Sequence, residues 1–203
     1  MEKRQAEVLY AGDLADTENS IKLLKSARDH YWDAFLLDRT FTWAIVQYLS
    51  LDLIIGLSTR RRDAAAGPAA EVPQQGPSYP MEMNPERLWR LAFLLSRYDL
   101  NSQFRDARMW AHQNMIELHL LTTLMPAREA WAKKADERAI EYTDNFIEIA
   151  GPHTIDTYST RRQMFRYVDW YPSLLPPPTP ERLKKLAADI CARFPAAVEE
   201  KGS

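Results

Sequence analysis

The feature that most constrains the fold is a long apolar run over residues 41–57, which contains one amide, Gln47, and one carboxylate, Asp52. The run is too long for an ordinary buried strand, and an internal carboxylate suits a protein core better than lipid. Three arginines at 60–62 follow it and suit the negative end of a helix dipole. The pattern predicts a central buried helix over residues 39–62, with a buried polar pocket at Gln47 and Asp52.

Composition and charge indicate an ordinary globular chain. Its 203 residues are 46% hydrophobic, and 26 basic against 28 acidic residues give a net charge of −2. Such a balance does not attract nucleic acid or anionic membranes, so any nucleic-acid contact has to be local, and no membrane partner is expected. A single cysteine, Cys191, and an N-terminus without a secretory signal pattern favour a cytoplasmic location.

Periodicity and helix-boundary residues predict an all-α fold, a single bundle of about six or seven helices. Asn84 followed by Pro85 and Glu86 has the pattern of a capped helix start, and Gly151 that of a helix end. We expect three parts: a polar arm over 1–16, a helical bundle over 17–170 with a flexible Ala/Pro/Gly loop at 63–83, and a proline-rich strap with a C-terminal helix over 171–203.

One motif is typical of catalysis. Arg105 and Asp106, followed by His112 in FRDARMWAH, place an arginine and a histidine on one helix face. The motif resembles the RX4–6H signature of HEPN-type ribonucleases, which are helical and metal-independent. The resemblance implies that His112 acts as acid or base on an RNA backbone, while Arg105 stabilises phosphate charge. It covers eight residues of the chain.

Four carboxylates at Glu137, Glu141, Asp144 and Glu148 share one helix face. This stripe is typical of a solvated helix surface, although magnesium binding or a basic contact remains open. No histidine has a glutamate three residues before it, and Cys191 is alone, so carboxylate-bridged metal pairs and zinc sites are disfavoured. We expect no metal and no cofactor.

Aromatic and basic residues concentrate in the C-terminal third, where a predicted helix runs into the proline-rich strap. Such residues are enriched at protein interfaces. We predict a partner-binding surface that contains Arg162, Arg166, Tyr167, Trp170 and Tyr171. The leading functional prediction is therefore a non-catalytic interaction or assembly protein, or an accessory subunit, that binds another subunit or a second copy of itself. The alternatives are the HEPN-like ribonuclease and a helical protein that binds a small molecule beside Gln47 and Asp52.

Overall fold

The computed structural model describes residues 17–66, 84–125 and 134–195. These ranges are almost entirely helical and contain no strand, which confirms the all-α prediction. The helices are α1 (Thr17–Leu37), α2 (Thr42–Ala66), α3 (Pro85–Asp99), α4 (Arg105–Leu121) with a 3₁₀ turn at Thr122–Leu124, α5 (Ala135–Ala150), α6 (Ile155–Phe165), α7 (Trp170–Leu174) and α8 (Thr179–Arg193). The predicted arm over 1–16 and positions 67–83 of the predicted loop lie outside the described residues.

The central helix of the bundle is α2, which packs against α1, α3, α4 and α7. The segment Thr42–Thr59 is long and apolar enough to cross a membrane by length and composition, but 72% of it is buried inside the protein. The helix continues to Ala66, four residues beyond the predicted end. Three alanines, at 64–66, complete it, because alanine has the highest helix propensity.

Two long-range contacts bring several helix ends together at one end of the bundle. The Thr42 hydroxyl, at the start of α2, donates a hydrogen bond of 3.1 Å to the Asp99 carboxylate, at the end of α3. The Arg105 guanidinium, at the start of α4, donates to the last carbonyl oxygens of α5, those of Ile149 (2.6 Å) and Ala150 (3.2 Å). The connections 38–41, 100–104 and 151–154 therefore meet at this end.

The C-terminal third belongs to the core. The helix α8 packs on α5, α6 and α7. Residues 171–174, predicted as the start of the extended strap, belong to α7. Tyr167, Trp170 and Tyr171 are only 0%, 4% and 0% exposed. The prediction that these three form a partner-binding surface is not supported, because large aromatic side chains contribute as much to a core as to an interface.

Candidate functional site

A cleft of about 790 Å³ lies between α4 and α6 and is bounded at one end by the connection from α1 to α2. Four aromatic side chains and three charged ones line it together with smaller polar groups. The lining residues are Tyr31, Thr40, Phe41, Thr42, Trp43, Asp99, Ala107, Trp110, Gln113, Ser159, Arg162, Gln163 and Arg166.

Helical spacing explains both walls of the cleft. On α6 and its C-cap the lining positions are Ser159, Arg162, Gln163 and Arg166. The last three follow Ser159 by three, four and seven residues, which places them on one face. On α4 the lining positions 107, 110 and 113 recur every three residues. The start of α6 is fixed by the Thr154 hydroxyl, which accepts a hydrogen bond from the backbone of residue 157. Both walls are thus rigid elements.

The two arginines on the α6 wall differ in their surroundings. Arg162 is exposed and makes no hydrogen bond or ion pair with the described part of the chain. Arg166 is half-buried, and its guanidinium donates a hydrogen bond of 2.5 Å to the side-chain carbonyl of Gln163. The wall therefore carries two positive charges four residues apart, one of them held by a neighbouring amide.

Three aromatic rings pack together where α1 meets α2. The Trp43 ring lies edge-on to Tyr31, with centroids 5.2 Å apart, and 5.7 Å from Phe41. The indole nitrogen of Trp43 is buried and finds no hydrogen-bond acceptor among the described residues. A buried donor of this kind is normally satisfied, so a group inside the cleft is a suitable acceptor.

Asp99 is the only carboxylate among the described residues that line the cleft. Its Oδ2 accepts the hydrogen bond from Thr42, whose hydroxyl in turn accepts one of 3.0 Å from Asn114. Partial burial raises the pKa of Asp99, and the hydrogen bond from Thr42 offsets this only in part. Asp99 has no cationic partner among the described residues.

Behind the α6 wall lies a buried polar network centred on Glu117 of α4, which is 0% exposed. Its carboxylate accepts hydrogen bonds from Gln47 (2.6 Å), Gln163 (3.0 Å) and the Tyr167 hydroxyl (2.5 Å). Burial, and then the nearby Glu117 charge, raise the pKa of Tyr167 well above its usual value, so that its hydroxyl stays protonated and donates.

The carboxylate fixes the direction of every hydrogen bond around it. Both carboxylate oxygens of Glu117 accept hydrogen bonds, so Gln163 turns its amide nitrogen towards Glu117, which leaves the Gln163 carbonyl facing Arg166. For the same reason the Tyr167 hydroxyl accepts its second hydrogen bond from Ser50. The core thereby sets the orientation of a group on the cleft wall.

Sequence reasoning missed both Glu117 and Gln163. A signal for Glu117 was present, because it interrupts an apolar run at 115–121, MIELHLL, where a lone glutamate has to find buried partners. Gln163 carried no such signal. Its neighbours Arg162 and Arg166, predicted to bind a partner, do line the cleft.

Gln47 and Asp52 do not form one pocket. Five residues of helix rotate their side chains about 140° apart. Gln47 belongs to the Glu117 network, whereas Asp52 forms an ion pair of 3.2 Å with Arg28 of α1. Burial raises the pKa of Asp52 and Arg28 opposes this shift. Neither residue lines the cleft. Gln47 nevertheless contacts the cleft wall, because its side-chain carbonyl accepts a hydrogen bond of 3.3 Å from Gln163.

Arg105 and His112 each contact a different part of α5. Arg105 is bound to the carbonyls at the end of α5, and the His112 ring lies 5.6 Å from that of Tyr142, two turns earlier. Burial, with a smaller contribution from Arg108, lowers the pKa of His112. Two helical turns separate these contacts by about 10 Å along α5.

The acidic stripe lies on the outer face of α5, and all four of its carboxylates are exposed. Glu141 pairs with Arg138 at 2.9 Å and Asp144 with Arg193 at 3.7 Å. In the described ranges, no three His, Cys, Asp or Glu side chains are grouped so that they could hold a metal ion. The stripe therefore has the contacts of a solvated helix face.

In comparisons with known proteins, no protein-family model, no curated protein and no solved structure matches this chain. The proposals below accordingly depend on the chemistry of the cleft.

Proposed function

We propose that this protein is a non-catalytic helical binding protein, whose cleft holds a small ligand with an anionic group and an aromatic or apolar body. The observation that carries the proposal is the presence of Arg162 and Arg166 beside four aromatic side chains in one cleft. The cleft volume of about 790 Å³ falls among those of small-molecule sites, which are concave and combine apolar walls with a few polar groups.

The arginines account for the anionic group. A guanidinium presents several donors in a plane and binds a carboxylate or phosphate through paired hydrogen bonds. Arg166 is held by Gln163, so it loses little conformational freedom when it binds. Arg162 has no competing partner in the described part of the chain and can close on the ligand from the rim.

The aromatic residues account for the body of the ligand. Tyr31, Phe41 and Trp43 form a packed cluster on one side of the cleft, and Trp110 projects from the α4 wall. Phe41 and Trp110 are 44% and 39% exposed, so parts of their rings are accessible to a ligand in the cleft. A planar ligand would bury these ring faces, and this burial contributes free energy of binding.

A binding role suits the lining better than catalysis. Among the described residues that line the cleft there is no histidine, cysteine or lysine, and Ser159 has no base beside it. The predicted role as an interaction or accessory subunit is also a binding role, with a protein in place of the ligand. The concave shape favours the small ligand, since protein interfaces of standard size cover a larger and flatter area.

The test is calorimetric titration with two probes that share one body, indole-3-propionate and its neutral amide, indole-3-propionamide. We expect the anion to bind about tenfold more tightly than the amide, because only the anion forms charge-assisted hydrogen bonds with the arginines. Arg162→Gln should remove most of this preference. Arg87→Gln is the matched control, because Arg87 is exposed on the first turn of α3, about 18 Å along that helix from Asp99.

Two results would overturn the proposal. One is that neither probe binds at millimolar concentration. The other is that Arg162→Gln and Arg87→Gln change the affinity for the anion equally, since the effect would then reflect net charge and not the cleft.

A further inference from the structure

The cleft has a second charged side, which the proposed anion site does not use. Asp99 closes the end of α3 and faces the same cleft as the arginines of α6. No ion pair joins Asp99 to either arginine, and in the described part of the chain its carboxylate bonds only to the Thr42 hydroxyl. The cleft therefore presents a carboxylate and two guanidinium groups that do not pair with each other across it.

The Asp99 carboxylate is held in place and can accept further hydrogen bonds. Thr42 donates to its Oδ2 and is itself fixed by the amide of Asn114. The other oxygen, Oδ1, accepts no hydrogen bond from the described residues. Because burial raises the pKa of Asp99, its charged form lacks full solvation and gains from a cation brought by the ligand.

The rings that line the cleft together with Asp99 have the chemistry that attracts a cation. Phe41 and Trp43 flank Thr42 in the chain, and all three line the cleft with Tyr31. The faces of Trp, Tyr and Phe rings attract ammonium groups, and a nearby carboxylate adds to this attraction. A cleft that contains a carboxylate and these three aromatic rings is therefore suited to an amine.

Building on the proposed function, we propose that the ligand is dipolar. Its protonated amine lies at Asp99 and the aromatic rings of the α1–α2 connection, while its anionic group lies at Arg162 and Arg166. The ligand class is an aromatic molecule that carries both an amine and an acid, such as an aromatic amino acid. A ligand with the anionic group alone would leave the Asp99 carboxylate partly desolvated and without a counter-charge.

The experiment compares probes that differ only in the amine. L-tryptophan is compared with indole-3-propionate, in which the amine is absent, and 4-(2-aminoethyl)benzoate with 4-ethylbenzoate. The two pairs cover short and long separations of the charges. We expect the dipolar member of at least one pair to bind about tenfold more tightly in calorimetric titration, because a hydrogen bond between charged groups contributes roughly this much.

Two variants locate the effect. Asp99→Asn should abolish the advantage of the dipolar probe over its anion-only partner, while the asparagine carbonyl still accepts from Thr42. Asp189→Asn, an exposed carboxylate on α8, should preserve the advantage. Circular dichroism melting verifies that both variants fold.

The outcomes separate this inference from the proposed function. If anion-only probes bind but neither dipolar probe binds more tightly, or if the advantage persists in Asp99→Asn, the dipolar ligand is wrong while the binding function remains. If none of the four probes binds, the proposed function fails and this inference fails with it.

Discussion

The side-chain amide of Gln163 joins the cleft to the core: its carbonyl accepts a hydrogen bond of 2.5 Å from Arg166, and its nitrogen donates to the buried Glu117 at 3.0 Å. Glu117 fixes which way the amide points, and the amide fixes where the guanidinium lies. An interior carboxylate thus determines the position of a positive charge on the cleft wall, which is the kind of support that a precise binding site needs.

Gln163→Met tests this positioning role, since methionine has a similar size but cannot accept from Arg166 or donate to Glu117. We expect the affinity for indole-3-propionate to fall about fivefold, because Arg166 then has to be ordered by the ligand. Calorimetric affinity for the neutral indole-3-propionamide should stay unchanged, and Gln103→Met, at an exposed position, should affect neither probe. An equal loss for both probes would show that Gln163 only maintains the shape of the wall.

Glu117→Leu should lower the free energy of unfolding by about 3 kcal/mol, because the substitution leaves three buried donors without their acceptor. Urea denaturation measures the effect. Glu148→Leu removes an exposed glutamate from α5 and should change stability by about 0.5 kcal/mol or less. A loss below about 1 kcal/mol for Glu117→Leu would contradict a central role of this carboxylate in the network.

His119 should make stability dependent on pH. It is 4% exposed and stacks on Tyr142, with ring centroids 5.5 Å apart. Burial, and to a smaller extent the positive charge of Arg138, lowers the pKa of His119 from 6.5 to about 4. As the pH falls, His119 therefore takes up a proton in the unfolded chain before it does so in the folded protein, which favours unfolding. The contribution of His119 to the free energy of unfolding is complete above pH 6.5 and decreases by about 3 kcal/mol towards pH 4.

The measurement is urea denaturation between pH 7 and pH 4, a range that spans both pKa values of His119. His119→Phe keeps a ring against Tyr142 but has no group that titrates. This variant should therefore remove most of the dependence of the free energy of unfolding on pH. His153→Gln, at an exposed position, should retain the slope of the parent protein. Parallel slopes for all three proteins would show that His119 is not the titrating group.

Arg105 should act as a structural residue and not as part of a nuclease. Arg105→Ala should destabilise the fold by about 1 kcal/mol, because the last carbonyls of α5 lose their donor. Thermal melting measures this loss, with Arg87→Ala as an exposed control. Cleavage of single-stranded RNA should be the same for the parent protein, Arg105→Ala and His112→Ala. Cleavage by the parent protein that disappears in both variants, while they remain folded, would support the ribonuclease alternative.

Local signals in the sequence were sufficient for most of the fold. The predicted cap at Asn84 is confirmed, since its side chain accepts a hydrogen bond of 2.8 Å from the backbone of Glu86, and Gly151 ends α5 with a φ of 92°. Both depend on neighbouring residues alone. The predicted docking surface at Tyr167, Trp170 and Tyr171 had no such basis, because the same aromatic residues suit an interface or a core.

The sequence by itself determined that the chain is helical, where most helices begin and end, and that α2 is buried, because these properties follow from the spacing of apolar residues and from local capping. Only the tertiary structure decided which polar residues meet. Gln47 and Glu117 are 70 positions apart, and Asp99 and Arg162 reach one cleft from different helices. Contacts between distant segments depend on how helices pack side by side, and helical periodicity within each segment does not specify that arrangement.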